Sequence, residues 1–337
     1  MAEFGNVSFN TTGAGKLNGT DNSQTYSMNS FIIAASFVLI ISFLGMIGNS
    51  LVVWYLGFRI KRTKYTVYIL NLAVADLIYL ICISITMCVT IVLFVHPGEK
   101  ISNPRNVLFG MEIFSDFGNA ADMFLLTAIS VERCLSVFYP IWYRCNRPKL
   151  QSVVVCVFLW GLSGLVTLVD NLACPPETFS RGSERCTAIQ TFLSVLTFLI
   201  TIPIMIASSV ILVIKIQRTS KRGQPPKLFV VIVASVIVFL ISVAPVRVLW
   251  LLTYLKVLPS SFHAGAFFFV SYLCISVNSS ANPFIYFLVG RHNMHGVREY
   301  LERALKKVFR EDDGGEEEGD GMTKSNVEGD TTDSNIS

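Results

Sequence analysis

An all-α membrane protein, a bundle of seven membrane-spanning helices, is the fold class this sequence predicts, on three observations. The 337 residues are 52% hydrophobic and only 15% charged, with a mean hydropathy of +0.56. A water-soluble domain with so few charges would aggregate. Between residues 31 and 290 the chain divides into seven apolar runs, each near or above the ~20 residues that cross a bilayer. Lysine and arginine gather on alternate connections, as the positive-inside rule requires of a multi-pass chain. The net charge of +4 argues against a nucleic-acid partner. Eight cysteines without a Cys-x-x-Cys pair carry no zinc or redox signature.

Residues 1–30 form a polar tail rich in Asn, Ser, Thr and Gly, with glycosylation acceptors at Asn6, Asn10 and Asn18. If they are used, this end lies outside the cell. A further acceptor match at Asn278 lies within an apolar run and is not expected to be modified. No basic segment with a cleavage site precedes the first run, so that run is expected to insert as an uncleaved anchor.

The spans are expected at Phe31–Gly57, Tyr65–Phe94, Val107–Phe138, Leu150–Leu172, Ala188–Ile214, Leu228–Leu255 and Phe262–Gly290. Backbone groups in lipid must be satisfied within each segment, so each span is a helix. One side carries Arg59, Lys61, Arg62, Lys64, Arg144, Arg147, Lys149, Lys215, Arg218, Lys221, Arg222 and Lys227. The other has only Lys100, Arg105, Arg181, Arg185 and Lys256, mixed with acids. The first side is therefore cytoplasmic, in agreement with acceptors outside. Residues 291–310 are expected to form a short amphipathic eighth helix on the inner leaflet. There Met294, Val297, Leu301, Leu305 and Val308 lie opposite Arg298, Arg303, Lys306 and Lys307. Residues 311–337 form an acidic tail, either plain solvated disorder or disorder bearing phosphorylation sites.

Polar groups inside the bilayer are few and informative. Asp76 stands in the second span, Asp122 in the third, Asn49 in the first, and Asn278 and Asn282 in the seventh. Either they hydrogen-bond one another to hold helices together, or they surround a sodium ion or proton. The third span ends on Glu132 and Arg133, a pair that is costly unless neutralised and near water. Pro203, Pro245 and Pro283 each free a carbonyl within a span and permit a bend. Near the outer side lie Glu112, Asp116, Asp170, Arg247, Trp250 and Tyr254. Arg247 either pairs with Asp116 or Asp170 and fixes the packing, or meets a charged ligand, and both hold if the pair opens on binding. Cys174 and Cys186 flank an outer loop in an oxidising compartment and are expected to form a disulfide. Cys82, Cys88, Cys134, Cys156 and Cys274 read as small apolar fillers.

Taken in order, one per span, several motifs resemble the rhodopsin-like (class A) G-protein-coupled receptors. They are Gly48-Asn49, Leu72-Ala-Val-Ala-Asp76, Glu132-Arg133-Cys134 in place of Asp-Arg-Tyr, Trp160, Pro203, Pro245 and Asn282-Pro-x-x-Tyr286. Within that class the stretches 126–137, 139–145 and 278–283 are similar to the Mas and Mas-related receptors. The resemblance covers residues 31–310.

It implies a plasma-membrane receptor, not an enzyme, that senses an extracellular ligand, most simply a small peptide. A heterotrimeric G protein would dock at Glu132, Arg133, Pro140 and Tyr286, and arrestin and receptor kinases would act through the tail. Several departures are also informative. Leu108 stands where the class usually has its third-span disulfide cysteine, which leaves Cys174 to pair with Cys186, as in Mas-related receptors. Val243 replaces the sixth-span tryptophan, Ile211 a fifth-span tyrosine, and Pro225 an acid that locks the third-span arginine. These losses imply basal activity, with Arg133 restrained otherwise. Asp122 replaces a small residue and retunes the ion site. Asp170 falls where several Mas-related receptors hold cationic ligands, whereas Gln190 replaces a second acid. Ser115 occupies the aspartate position of amine receptors, which argues against a monoamine, and the last span has no lysine for retinal. The rivals are a polytopic transporter, for which no internal repeat is visible, and an intramembrane aspartyl protease using Asp76 and Asp122, whose Gly-x-Gly-Asp signature is absent.

Overall fold

The computed structural model describes residues 20–59, 63–96, 103–148, 150–173, 184–220, 227–255, 257 and 264–290. The glycosylation acceptors Asn6, Asn10 and Asn18, Cys174, Pro225, the expected amphipathic helix and the acidic tail lie outside these residues. Nine α-helices are present among the described residues. They are α1 (Thr20–Trp54), α2 (Lys64–Val95), α3 (Pro104–Phe138), α4 (Pro140–Cys145), α5 (Gln151–Ala173), α6 (Glu184–Leu196), α7 (Ile202–Ser220), α8 (Lys227–Tyr254) and α9 (Ala264–Gly290).

Six of the seven expected spans each correspond to one helix. The fifth is built from α6 and α7, joined by the π-helical segment Thr197–Thr201. Pro203 follows as the second residue of α7 and has no N–H for the Leu199 carbonyl, so the wider turn sits where a regular ladder would fail. Pro245 and Pro283 lie inside α8 and α9, as expected. The first helix starts at Thr20, well before the expected boundary at Phe31, because helix extends through a polar stretch beyond the apolar run. α1 also ends in a π-helical turn, Tyr55–Arg59.

Five stretches are long and apolar enough to cross a membrane on composition alone: Ser30–Arg59, Lys64–Val95, Gln151–Ala173, Glu184–Ile214 and Val230–Leu249. α3 and α9 are not among them, and these two helices carry Asp122, Asn278 and Asn282 among the interior polar residues described below. Large apolar side chains such as Phe43, Phe158, Leu172, Phe192 and Leu199 point outward and are more than half exposed. That inside-out arrangement suits lipid rather than water.

α2 begins at a capping box, in which the Thr63 hydroxyl accepts from the Thr66 N–H and the Thr66 hydroxyl accepts from the Thr63 N–H. α3 is the central strut, packed on α2, α5, α7 and α8. Its approach to α2 depends on Gly118, where a Cβ would lie 2.9 Å from the Tyr79 backbone nitrogen. α1 approaches α9 similarly at Gly48, where a Cβ would meet Pro283 at 2.8 Å. On the outer face of the strut, Trp160 of α5 donates to Asn71 of α2 at 2.9 Å.

Candidate functional site

Polar side chains inside the bundle fall into three layers. The outermost holds Glu112 and Asp116 of α3, Asp170 of α5 and Arg247 of α8, all within electrostatic reach of one another. Glu112 and Asp116 are one helical turn apart and so share a face. Asp116 is exposed, whereas Ser115 beside it is buried. A carboxylate surrounded by other charged side chains and still exposed faces open space at the mouth of the bundle. Asp170 accepts a hydrogen bond from the Gln190 amide of α6. Among the described residues no ion pair joins Arg247 to Asp116 or Asp170, and its Nε is buried without a hydrogen-bond partner. The packing pair is therefore not what the arginine makes here. Trp250 and Tyr254 lie on α8 with Arg247, but their side chains are outside the described set.

The middle layer is fully enclosed. Asp76 Oδ2 accepts from the Asn282 amide at 3.0 Å, and Asp122 Oδ2 accepts from the Asn278 amide at 2.9 Å. Asn49 donates to the carbonyl oxygens of Gly45 and Ser279, each at 3.0 Å. Asp76 Oδ1, Asp122 Oδ1, Asn49 Oδ1 and Ser279 Oγ are buried and take none of these amide bonds, and the Ser279 and Asp122 side chains both lie within hydrogen-bonding reach of Asp76. Buried oxygens are rarely left unsatisfied. Two acids, an amide and a hydroxyl form a hard, all-oxygen donor set, which suits a proton or an alkali cation rather than a transition metal. The amides thus join the helices, as the first of the two readings of these residues requires. Below this layer Tyr286 is buried among Ile69, Leu72, Ile129 and Val231, an apolar seal.

The innermost layer shows how the Glu132 charge is met. Glu132 and Arg133 do not neutralise each other. Glu132 Oε1 instead accepts from Arg147 Nη2 at 2.8 Å and from the Tyr68 hydroxyl at 2.9 Å. Arg147 also donates to Ser152 Oγ at 2.9 Å, to Gln151 Oε1 at 3.3 Å and to the Tyr143 hydroxyl. Arg133, 1% exposed, lies with its guanidinium over the ring of Tyr65. Neighbouring residues on a helix diverge by about 100°, so the two charges find partners on different elements. Pro140 is the first residue of α4, after the N-cap Tyr139, and Phe138, Tyr139 and Ile141 beside it are strongly exposed.

Comparison with known proteins decides what this arrangement belongs to. The description "7 transmembrane receptor (rhodopsin family)" matches residues 48–286. The chain belongs to that family. It is 41% identical over 292 residues to the Proto-oncogene Mas of Mus musculus, covering 86% of this chain and 87% of that protein. It is likewise 41% identical over 298 residues to the Mas-related G-protein coupled receptor member H of Mus musculus, covering 87% of this chain and 89% of that protein. Member D of Macaca fascicularis is 34% identical over 316 residues, covering 92% and 96%. The chain is thus a membrane protein of the Mas and Mas-related branch.

Within the receptor, the sequence-derived residues Asp76, Asp122, Asn278 and Asn282 meet in one layer, and Glu112, Asp116, Asp170 and Arg247 in another. Cys186 is buried and is not among the free cysteines. Sequence reasoning missed Tyr65, Tyr68, Tyr143, Arg147 and Ser279. A usable signal existed for two of them, since Tyr143 and Arg147 are four residues apart beside a proline-led helix.

Proposed function

We propose that this chain is a plasma-membrane receptor that converts binding of an extracellular ligand into activation of a heterotrimeric G protein. The N-terminus lies outside and is glycosylated at Asn6, Asn10 and Asn18. Cys174 pairs with Cys186 to close the outer loop, and the C-terminal tail serves arrestin and receptor kinases. The chain acts without catalysis, by shifting between two bundle states for which ligand and G protein have different affinities.

The observation that carries the ligand assignment is the partnerless buried Nε of Arg247, in a mouth that also holds Glu112, Asp116 and Asp170. Three acids and one arginine favour a ligand with cationic side chains and one carboxylate, as a short basic peptide has. Trp250 and Tyr254 would flank it. Asp76, Asp122, Asn278 and Asn282 hold a sodium ion or proton in the resting bundle. Ligand binding moves α7, α8 and α9 about their prolines, the seal at Tyr286 opens, and Arg133 becomes available beside Pro140 and the exposed Ile141.

The test is G-protein activation in cells expressing the full chain, beside Arg133→Ala at matched surface level. Signal above vector that falls with Arg133→Ala supports both coupling and basal activity. If basic peptides that drive the wild type act equally on Asp170→Asn and Arg247→Ala receptors, the ligand assignment is wrong.

A further inference from the structure

The partners of Arg133 and Glu132 form a closed circuit across three elements. The Arg133 guanidinium carbon lies 3.1 Å from the centroid of the Tyr65 ring, in the first turn of α2. Tyr65 stacks on Tyr143 of α4, with centroids 5.7 Å apart and planes 17° from parallel. Tyr143 in turn meets Arg147, whose guanidinium carbon is 4.6 Å from that centroid and which donates to the Tyr143 hydroxyl. Arg147 then returns to Glu132, the residue next to Arg133. Lys64 fastens α4 independently, donating from Nζ to the Tyr143 carbonyl oxygen at 3.1 Å.

An arginine over a tyrosine face is attracted by the ring quadrupole, more strongly where water is excluded. Arg133 and Arg147 are both almost fully buried, so both contacts lie in such a place. Each of the two stacked rings carries one of the two arginines. Moving α4 would take Tyr143 from behind Tyr65 and Arg147 from Glu132 together. Bistable packed contacts of this kind convert a small displacement into a switch.

We propose that Tyr65 is a positioning residue for Arg133: with Tyr143 it forms an aromatic latch that holds the arginine against α2 until α4 moves. Displacing the cytoplasmic loop helix and releasing Arg133 are then one event. Tyr65 meets Arg133 with its ring face, and its side chain also hydrogen-bonds that of Tyr143. The latch rests on the coupling assignment only where signalling is the readout.

The test uses the full-length receptor with two readouts. Cys145, an exposed free cysteine at the end of α4, takes a trifluoromethyl label in a Cys88→Ser background, and its fluorine resonance is read without any G protein. Basal G-protein activation per surface receptor is read in cells. Tyr65→Leu should move the Cys145 resonance to a second position and raise basal activation about tenfold, the shift expected on losing a desolvated cation–π contact. Tyr65→Phe keeps the ring face and loses only the hydroxyl contact with Tyr143, so both readouts should stay closer to the wild type than to Tyr65→Leu. The latch is refuted if Leu and Phe behave alike, or if Tyr65→Leu changes neither readout. Should Tyr65→Leu fail to reach the surface, Tyr143→Leu serves in its place, since it removes the backing ring and should move both readouts in the same direction. Unchanged readouts there also refute the latch. A resonance that moves while no variant signals would keep the latch and remove the coupling assignment. Strong wild-type signalling indifferent to both tyrosines would do the reverse.

Discussion

Replacing Arg147 by methionine would leave the Glu132 carboxylate buried opposite an apolar chain. The two side chains are 0% and 7% exposed, and their contact is 2.8 Å. Removing one partner of a buried ion pair costs ~3–5 kcal/mol, chiefly because the remaining charge has lost its solvation. Glu132 keeps the Tyr68 hydroxyl at 2.9 Å, which places the expected cost at the lower end, about 3 kcal/mol. That corresponds to about a 150-fold shift against the docked loop helix. The double variant Arg147→Met/Glu132→Gln has no stranded charge. It loses the hydrogen bonds of Arg147 to Ser152 and Gln151, and should cost only ~1–2 kcal/mol. The measurement is melting of the detergent-solubilised chain, followed with a thiol-reactive dye that reports exposure of buried Cys82 and Cys156. The double variant should melt above the Arg147→Met single. If it melts at or below the single, Glu132 is not a charge held by Arg147, and the account of the inner layer fails.

Two further outcomes can be read by the same melting assay. If the buried oxygens around Asp76 and Asp122 hold sodium, replacing choline chloride by an equal concentration of sodium chloride should raise the melting temperature of the wild type, because a ligand bound only to the folded state stabilises it. Asp122→Asn should abolish the response. A wild type indifferent to sodium would exclude the alkali ion and leave the proton. Gly118→Ala places a methyl 2.9 Å from the Tyr79 nitrogen and 3.0 Å from the Ala75 carbonyl oxygen, backbone atoms that cannot step aside. It should destabilise the α2–α3 contact by ~1–3 kcal/mol. Melting unchanged from the wild type would show that the strut tolerates a wider spacing.

The spans were legible because lipid permits so few alternatives. Polar residues within them are costly and therefore stand out, and Asp76 with Asn282, or Asp122 with Asn278, can be picked out before any packing is known. The cytoplasmic network was less visible. Arg147 is one of a dozen basic residues on its side of the membrane, and charge alone cannot say which one will be buried. Its burial follows from the short helix α4, which turns the loop back beneath α3. That Glu132 must be neutralised was legible, but its partner was not, because adjacent helical residues do not face each other and the partner lies fifteen residues on. The start of the first helix at Thr20 was missed because hydropathy marks where lipid ends rather than where hydrogen bonding ends. Arg247 offered two plausible partners in sequence, and the structure gives it neither.

The π-helical segment Thr197–Thr201 has a bearing on how chains of this kind can diverge. One residue inserted or removed there leaves a helix long enough to span the bilayer, yet it rotates everything on the outer side by about 100° relative to the inner half. Gln190 meets Asp170 because of the phase set at that turn. A chain one residue shorter would keep its anchoring in the half of the span after the turn and bring Ile189 into the place of Gln190, opposite the same aspartate. A single-codon deletion in this stretch would then rewrite the outer chemistry of the fifth span without touching any outer residue.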